Sequence, residues 1–290
     1  MPDPGLAYQR VVIVGLGLMG GSLAWVLHGK CRLLLGVDKD AQTVAAALQS
    51  GIFSRVSTQA SELLPEADLV ILAAPVAAII QILSELPSLH PSNAVVFDLG
   101  STKAGILAEM DKLPERFDPV GGHPMCGKET SSFAEADPGI YRDARFALVP
   151  LARTTNSARI LVEQVVSAAG SLPLWLDAAS HDLWTACTSH LPYLVANSLA
   201  GVTPVEFAAL VGSGFRDTTR LAGANLEMML NILLSNRVNI LVAGREFQER
   251  FNTILAALEL QDRSQLADLL SQGADRRRRL MDQRDLSGVP

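Results

Sequence analysis

After Arg10 the chain reads VVIVGLGLMGGSLAWVL, a β-branched apolar run that breaks at Gly15, Gly17 and Gly20 and resumes as an apolar helical pattern. This order of strand, glycine turn and helix restricts the fold more than any other feature. In a GxGxxG turn the first glycine allows a tight exit from the strand. The second lets backbone approach a diphosphate, and the third lets helix and strand pack closely. The helix N-terminus then presents free N–H groups and the positive end of its dipole to an anion. Leu16 and Met19 stand between the glycines and line the same turn. A second strand pattern ends at Asp38, 18 residues past Gly20. A carboxylate there accepts bonds from both hydroxyls of an adenosine ribose and repels a 2′-phosphate. The expected cofactor is therefore NAD, with NADP disfavoured, although Lys39 adjoins Asp38. The competing reading of the glycines is a simple turn. As a membrane span, 11–27 would be short and glycine-broken, and the preceding MPDPGLAYQ lacks the basic start of a signal peptide.

The rest of the first 177 residues alternates short apolar runs with helical patterns. Strands are expected at 10–15, 33–38, 68–74, 94–99, 118–121, 146–149 and 172–176, and helices at 40–49, 76–86, 103–113 and 156–169. Runs such as VVIV, LVILAA and AVVF are apolar at every position, as in parallel strands covered on both faces. The expected fold is α/β: a Rossmann-type, doubly wound parallel sheet over 1–177, followed by an all-helical domain over 178–290. Helical patterns there cover 181–199, 204–210, 226–250 and 265–283. A helical unit of this size has more apolar face than it can cover alone. A homodimer through this domain is therefore expected.

A net charge of −6 gives no cationic field, which argues against nucleic acid or an anionic membrane as a partner. The basic run at Arg276–Arg279 reads as a solvated helix end. Cys31, Cys126 and Cys187 are odd in number and unevenly spaced. A disulfide framework and a metal site are both unexpected, and a reducing, cytoplasmic setting is the default.

In an open α/β sheet, ligands bind outside the carboxyl ends of the strands. Ala74 and Pro75 end one strand there. DLGSTK (98–103) ends the next, with Ser101, and GGHPMCGKE (121–129) ends a third, with His123 and Glu129. Ser101 and His123 are placed to face a bound nicotinamide. Their alternatives are a helix N-cap for Ser101, a structural loop histidine for His123 and a solvated acid for Glu129. In the helical half, His181 and His190 are nine residues apart, which on a straight helix puts them on opposite faces. His190, Tyr193 and Asn197 share one face, a polar stripe costly to bury without a partner. Arg216 and Arg220 are one turn apart, and arginine suits planar carboxylates. Surface ion pairing is their alternative role.

GLGLMGGS, LAAPV, DLGSTKAGI, GGHPMCGKE, SHDLWTACTSHLPYLVA and GSGFRDTTRLA, in this order, resemble the prephenate dehydrogenase family, which includes arogenate and cyclohexadienyl dehydrogenases. The resemblance runs from about Arg10 to Asn236. It implies oxidative decarboxylation of prephenate to 4-hydroxyphenylpyruvate with NAD, in tyrosine biosynthesis, or of arogenate directly to tyrosine. His123 would accept the ring hydroxyl's proton and Ser101 would orient that hydroxyl. His190 would pack beside the substrate, Arg220 would bind the ring carboxylate, and Glu129 would order the site. Tyr193 stands where many prephenate-using relatives carry a second histidine, which leaves room for arogenate. A β-hydroxyacid dehydrogenase would use a lysine in the helical domain, and none follows Lys128. A catalytically silent NAD-binding regulator is the remoter rival.

Overall fold

The structure, a computed structural model, describes residues 5–128 and 132–286. Strands β1 (Arg10–Val14), β2 (Leu33–Val37), β3 (Arg55–Ser57), β4 (Leu69–Leu72), β5 (Ala94–Asp98), β6 (Phe117–Pro124), β7 (Arg145–Pro150) and β8 (Leu172–Trp175) form one sheet. Their order is β3-β2-β1-β4-β5-β6-β7-β8. All neighbours are parallel except β6 and β7, which run antiparallel with His123 opposite Ala147. The order reverses between β1 and β4, the crevice in which such sheets bind dinucleotides.

Helices α1 (Leu18–Leu27), α2 (Ala41–Gln49), α3 (Ala60–Leu63), α4 (Val76–Leu89), α5 (Ala104–Met110) and α6 (Asn156–Ala168) connect the strands. Val11 and Ile13 of β1 face one core with α1 and α6, whereas Val12 and Val14 face the other with α4 and α5. All but Val14 are fully buried, and such a side chain contributes about 1.5–3 kcal/mol. Continuous apolar strands are thus the consequence of cores on both faces.

Three local expectations need correction. The sheet is not wholly parallel, and it has an eighth strand, β3. This edge strand is only three residues long and begins with an exposed arginine, so it carries no apolar run. The third is the end of β6, which runs past Gly121 through His123 to Pro124 because antiparallel β7 pairs with it there. Two glycines in mid-strand suggested its end, but they answer a packing need. A Cβ on Gly122 would stand 2.5 Å from the Phe97 ring, and one on Gly121 would stand 2.7 Å from Leu107.

The helical half contains α7 (Ala178–Thr185), a π-turn (Ala186–His190), α8 (Leu191–Val202), α9 (Ser213–Thr219), α10 (Leu226–Ser235), α11 (Arg237–Glu259) and α12 (Arg263–Leu286). The π-turn precedes Pro192, which has no N–H for the regular bond one turn back. The single helix expected over 226–250 breaks at Asn236, between α10 and α11. Among the described residues, no single helix is long and apolar enough to cross a membrane.

By compactness the chain forms two units, Met1–Arg237 and Val238–Pro290. Helices α7 and α10 belong with the sheet. Asp182 of α7 binds the start of α5, and Thr102 Oγ1 lies 2.9 Å from Ser235 Oγ of α10. Within the unit from Val238 onward, α11 and α12 form a hairpin in which Arg250 donates to Leu269 O at 2.6 Å.

Candidate active site

The β1–α1 turn is built to receive a group against bare backbone. Gly15 has φ +95°, and a Cβ there would stand 2.5 Å from Ala73 O. A Cβ on Gly20 would stand 1.9 Å from Gly15 O, so the turn closes only with glycine at both places. Gly17 is the N-cap of α1, and no side chain caps that end. Met19 is partly buried and its carbonyl accepts from Tyr141 at 2.7 Å, which pins the first turn. Leu16 is fully buried, and its N–H donates to Asp38 Oδ2 at 2.7 Å. Asp38 Oδ1 accepts from Asp40 N at 2.9 Å. Each oxygen of a carboxylate keeps a further lone pair for a ribose hydroxyl. Pro75 is exposed and Ala74 partly buried at the end of β4, beside the turn. These residues fit a dinucleotide.

The second half of the site is a buried polar network that joins β5, β6 and α7. Asp98 and Lys103 are both fully buried and form an ion pair. Asp98 also accepts from Gly100 N at 2.7 Å and Gly122 N at 3.1 Å, while Lys103 Nζ donates to Gly122 O at 2.6 Å. Burial pushes the Asp98 carboxyl up and the Lys103 ammonium down, and their mutual attraction opposes both shifts. This clamp holds the backbone next to His123. On its other side, His123 Nδ1 lies 2.9 Å from His181 Nε2, and His181 Nδ1 lies 2.8 Å from Asp182 Oδ1. Asp182 accepts from Lys103 N at 2.7 Å and Ala104 N at 2.8 Å, so it caps α5 from another helix. Asn236 Nδ2 donates to Asp182 O at 2.6 Å and reaches His190 Nδ1 at 3.2 Å. The break between α10 and α11 is where that side chain enters the network.

His181 and His190, expected on opposite faces, meet in this one network because the π-turn between them alters the angular count. Ser101 is not the cap of α5, since Asp182 performs that role, and it lies partly buried after β5. Tyr193 is buried in a cluster with Met229 and Ile232. Asn197 is exposed, so the stripe it was to share with His190 and Tyr193 is buried for two residues only. Arg216 lies exposed on α9, and Arg220 lies exposed at the start of the 3-10 turn that follows it. Glu129 lies outside the described residues. Asp98, Lys103, Asp182 and Asn236 were missed. The DLGSTK motif carried the first two as a strand end and helix start, and nothing local marks the others.

Burial, followed by the nearby His181, Lys103 and His190, lowers the His123 pKa well below its usual value. For His190, burial lowers the pKa from 6.5 to about 4, with Asp182 raising it and His181 lowering it further. Both rings are neutral at pH 7, as a proton acceptor must be. Between pH 6.5 and about 4 the unfolded chain binds protons that the folded chain refuses. Stability is therefore full above pH 6.5 and falls as pH drops toward 4. The His190 shift alone corresponds to about 3 kcal/mol. Thermal unfolding across this window should show a smaller loss in His190→Asn than in wild type. Equal losses would contradict a neutral buried His190.

A glycine cradle at the switch point, a carboxylate at the ribose position and a neutral histidine at the strand ends define a nicotinamide-dependent dehydrogenase. Residues 23–171 match the model of the prephenate dehydrogenase nucleotide-binding domain, and 177–272 match that of the prephenate dehydrogenase dimerization domain. The chain belongs to the prephenate dehydrogenase family. It is 31% identical to prephenate dehydrogenase of Bacillus subtilis over 271 residues, covering 89% of this chain and 72% of the relative. It is 27% identical to cyclohexadienyl dehydrogenase of Zymomonas mobilis, covering 88% and 90%. Prephenate dehydrogenase from A. aeolicus, solved with hydroxyphenyl propionate and NAD+, superposes with a TM-score of 0.87 at 28% identity, covering 96% and 100%. Synechocystis arogenate dehydrogenase superposes at 0.80 and 26%, covering 93% and 99%.

Proposed function

We propose that the chain catalyses the oxidative decarboxylation of prephenate to 4-hydroxyphenylpyruvate, with NAD rather than NADP, in tyrosine biosynthesis. The observation that carries this reading is a neutral His123 on β6 whose Nδ1 is engaged and whose Nε2 takes no bond from a described residue. Nε2 accepts the ring hydroxyl's proton, which raises electron density on the carbon that gives up hydride. The glycine cradle would hold the diphosphate of NAD, whose nicotinamide would supply the hydride acceptor. Ser101 hydrogen-bonds the same hydroxyl and orients it. Arg220 takes the ring carboxylate by charge-assisted bonds, with Arg216 one turn away as the second cation. His190 packs beside the ring, its tautomer set by Asn236. Glu129 and Tyr193 are assigned to ordering the site and to the side-chain end of the substrate. Asp38 supports NAD, since a 2′-phosphate would meet its carboxylate.

Arogenate is the second reading. The Synechocystis relative favours it, as does a neutral tyrosine at 193, which does not repel an ammonium. Steady-state kinetics with both substrates and both cofactors test these choices. We expect the higher kcat/KM with prephenate and NAD. Preference for arogenate or for NADP would replace the corresponding half of the proposal.

We further propose a functional division near 177, with 1–177 holding the cofactor and 178–290 supplying His190, Arg220 and a homodimer interface. The two family models adjoin there, at 171 and 177, and the second is a dimerization domain. On α11, Leu241, Phe247, Phe251, Leu255 and Leu258 are each at least 40% exposed, an apolar face suited to a second copy. A cytoplasmic setting is supported by three free cysteines.

A further inference from the structure

We propose that Asp182 and His181 act as a relay behind His123: Asp182 fixes the proton of His181 on Nδ1, and His181 fixes the proton of His123 on Nδ1. His123 Nε2 is thereby left bare toward the site. This inference rests on the reading of His123 as the base and makes His181 and Asp182 positioning residues for it.

A carboxylate only accepts, so the 2.8 Å bond between Asp182 Oδ1 and His181 Nδ1 requires the hydrogen on that nitrogen. In the neutral ring, whose single proton is then on Nδ1, Nε2 of His181 is an acceptor. The 2.9 Å bond to His123 then requires the hydrogen on His123 Nδ1. Asp182 is held in place independently, by Lys103 N at 2.7 Å and Ala104 N at 2.8 Å. It is 2% exposed and His181 1% exposed, so water does not compete for either bond. Burial alone would raise the Asp182 carboxyl, but its bonds from His181, Ala104 and Lys103 keep it below the usual range. The His123 and His181 ring centroids are 5.1 Å apart, with the ring planes inclined at 61°. Two other titratable groups bear on this pair: the Lys103 ammonium, which is paired with Asp98, and His190, which is tied through Asn236 to the backbone of Asp182. His123 Nε2 takes no bond from a described residue, and among the described residues only Arg153 Nε is a sealed, partnerless side-chain polar atom.

The relay also gives the transferred proton a place to wait. The hydroxyl O–H bond breaks and a bond to His123 Nε2 forms as hydride leaves the adjoining carbon. The Nδ1 proton of His123 can then pass to His181 Nε2, which puts the positive charge next to the Asp182 carboxylate. Loss of carbon dioxide returns the C–C bond electrons to the ring, leaving a phenolate on the original hydroxyl oxygen. His181 gives its Nε2 proton back to His123 Nδ1, and His123 Nε2 protonates that oxygen. No proton is gained or lost overall.

The test is the ring tautomer, read by long-range 1H–15N correlation in the full chain labelled at its five histidines. Wild type should show His123 protonated on Nδ1 and bare on Nε2, a result that needs no variant to fold. In His181→Leu the Nε2–H form of His123 should appear, and kcat should fall about 10- to 100-fold with KM for substrate and NAD within threefold. His181→Gln, whose amide oxygen can accept from His123 Nδ1, should recover most of kcat. Nε2–H on His123 in wild type would overturn the relay. So would a His181→Leu variant with unaltered tautomer and turnover, even while His123→Asn is inactive. Unaltered turnover in His123→Asn would instead overturn the base itself.

Discussion

Replacing His123 with asparagine should lower kcat by about 10² or more while NAD affinity stays near that of wild type, as expected on removing one general base. Asparagine is the informative substitution. Its amide can still donate toward His181 Nε2, which His123 Nδ1 now meets at 2.9 Å, so the network behind the site keeps its partner. What disappears is the second ring nitrogen, the one proposed to face the ring hydroxyl. The glycine cradle lies on β1 and α1 and does not depend on this side chain. A fall in kcat with unaltered NAD binding is therefore the signature of lost proton transfer. Unchanged turnover would remove His123 from the chemistry, and a large loss of NAD affinity would mean that it acts through the cofactor site.

Lys103→Met should cost about 3–5 kcal/mol of stability, because it leaves the fully buried Asp98 as an unpaired charge. The same substitution removes the donor to Gly122 O, next to His123, so activity should fall too. The carboxylate would keep only the N–H groups of Gly100 and Gly122. Urea unfolding reads the effect as a lower midpoint at unchanged slope. Adding Asp98→Asn should recover part of the loss, since the charge that lacked a partner is then gone. A cost below about 1 kcal/mol for Lys103→Met would contradict a structural ion pair at this place.

These two residues mark what a sequence does and does not reveal. The Rossmann half was legible because a strand, a glycine turn and Asp38 follow one another within a short span. Their spacing is set by one local turn. His123 and Ser101 were singled out because strand ends carry ligands in such sheets, and the structure places His123 in the buried network. Asp182 was not found. It caps α5 across 78 and 79 residues of chain, and no local pattern announces that. The same holds for Asn236, which meets His190 46 residues away. The π-turn before Pro192 explains the error over His181 and His190. A helical-wheel count assumes a constant rotation per residue, and that turn breaks it. β6 was cut short for a related reason. Its glycines are tertiary in origin, fitted to Phe97 and Leu107, and in a linear reading they look like a loop.

On the proposed function, this chain removes hydride and carbon dioxide from prephenate together. The most direct measurement mixes enzyme, NAD and prephenate and follows absorbance at about 340 nm alongside the aromatic product. The account predicts NADH and 4-hydroxyphenylpyruvate in equal amounts, with both lost together in His123→Asn. NAD binding without NADH formation from prephenate or arogenate would contradict it and would leave a nucleotide-binding protein in place of a dehydrogenase.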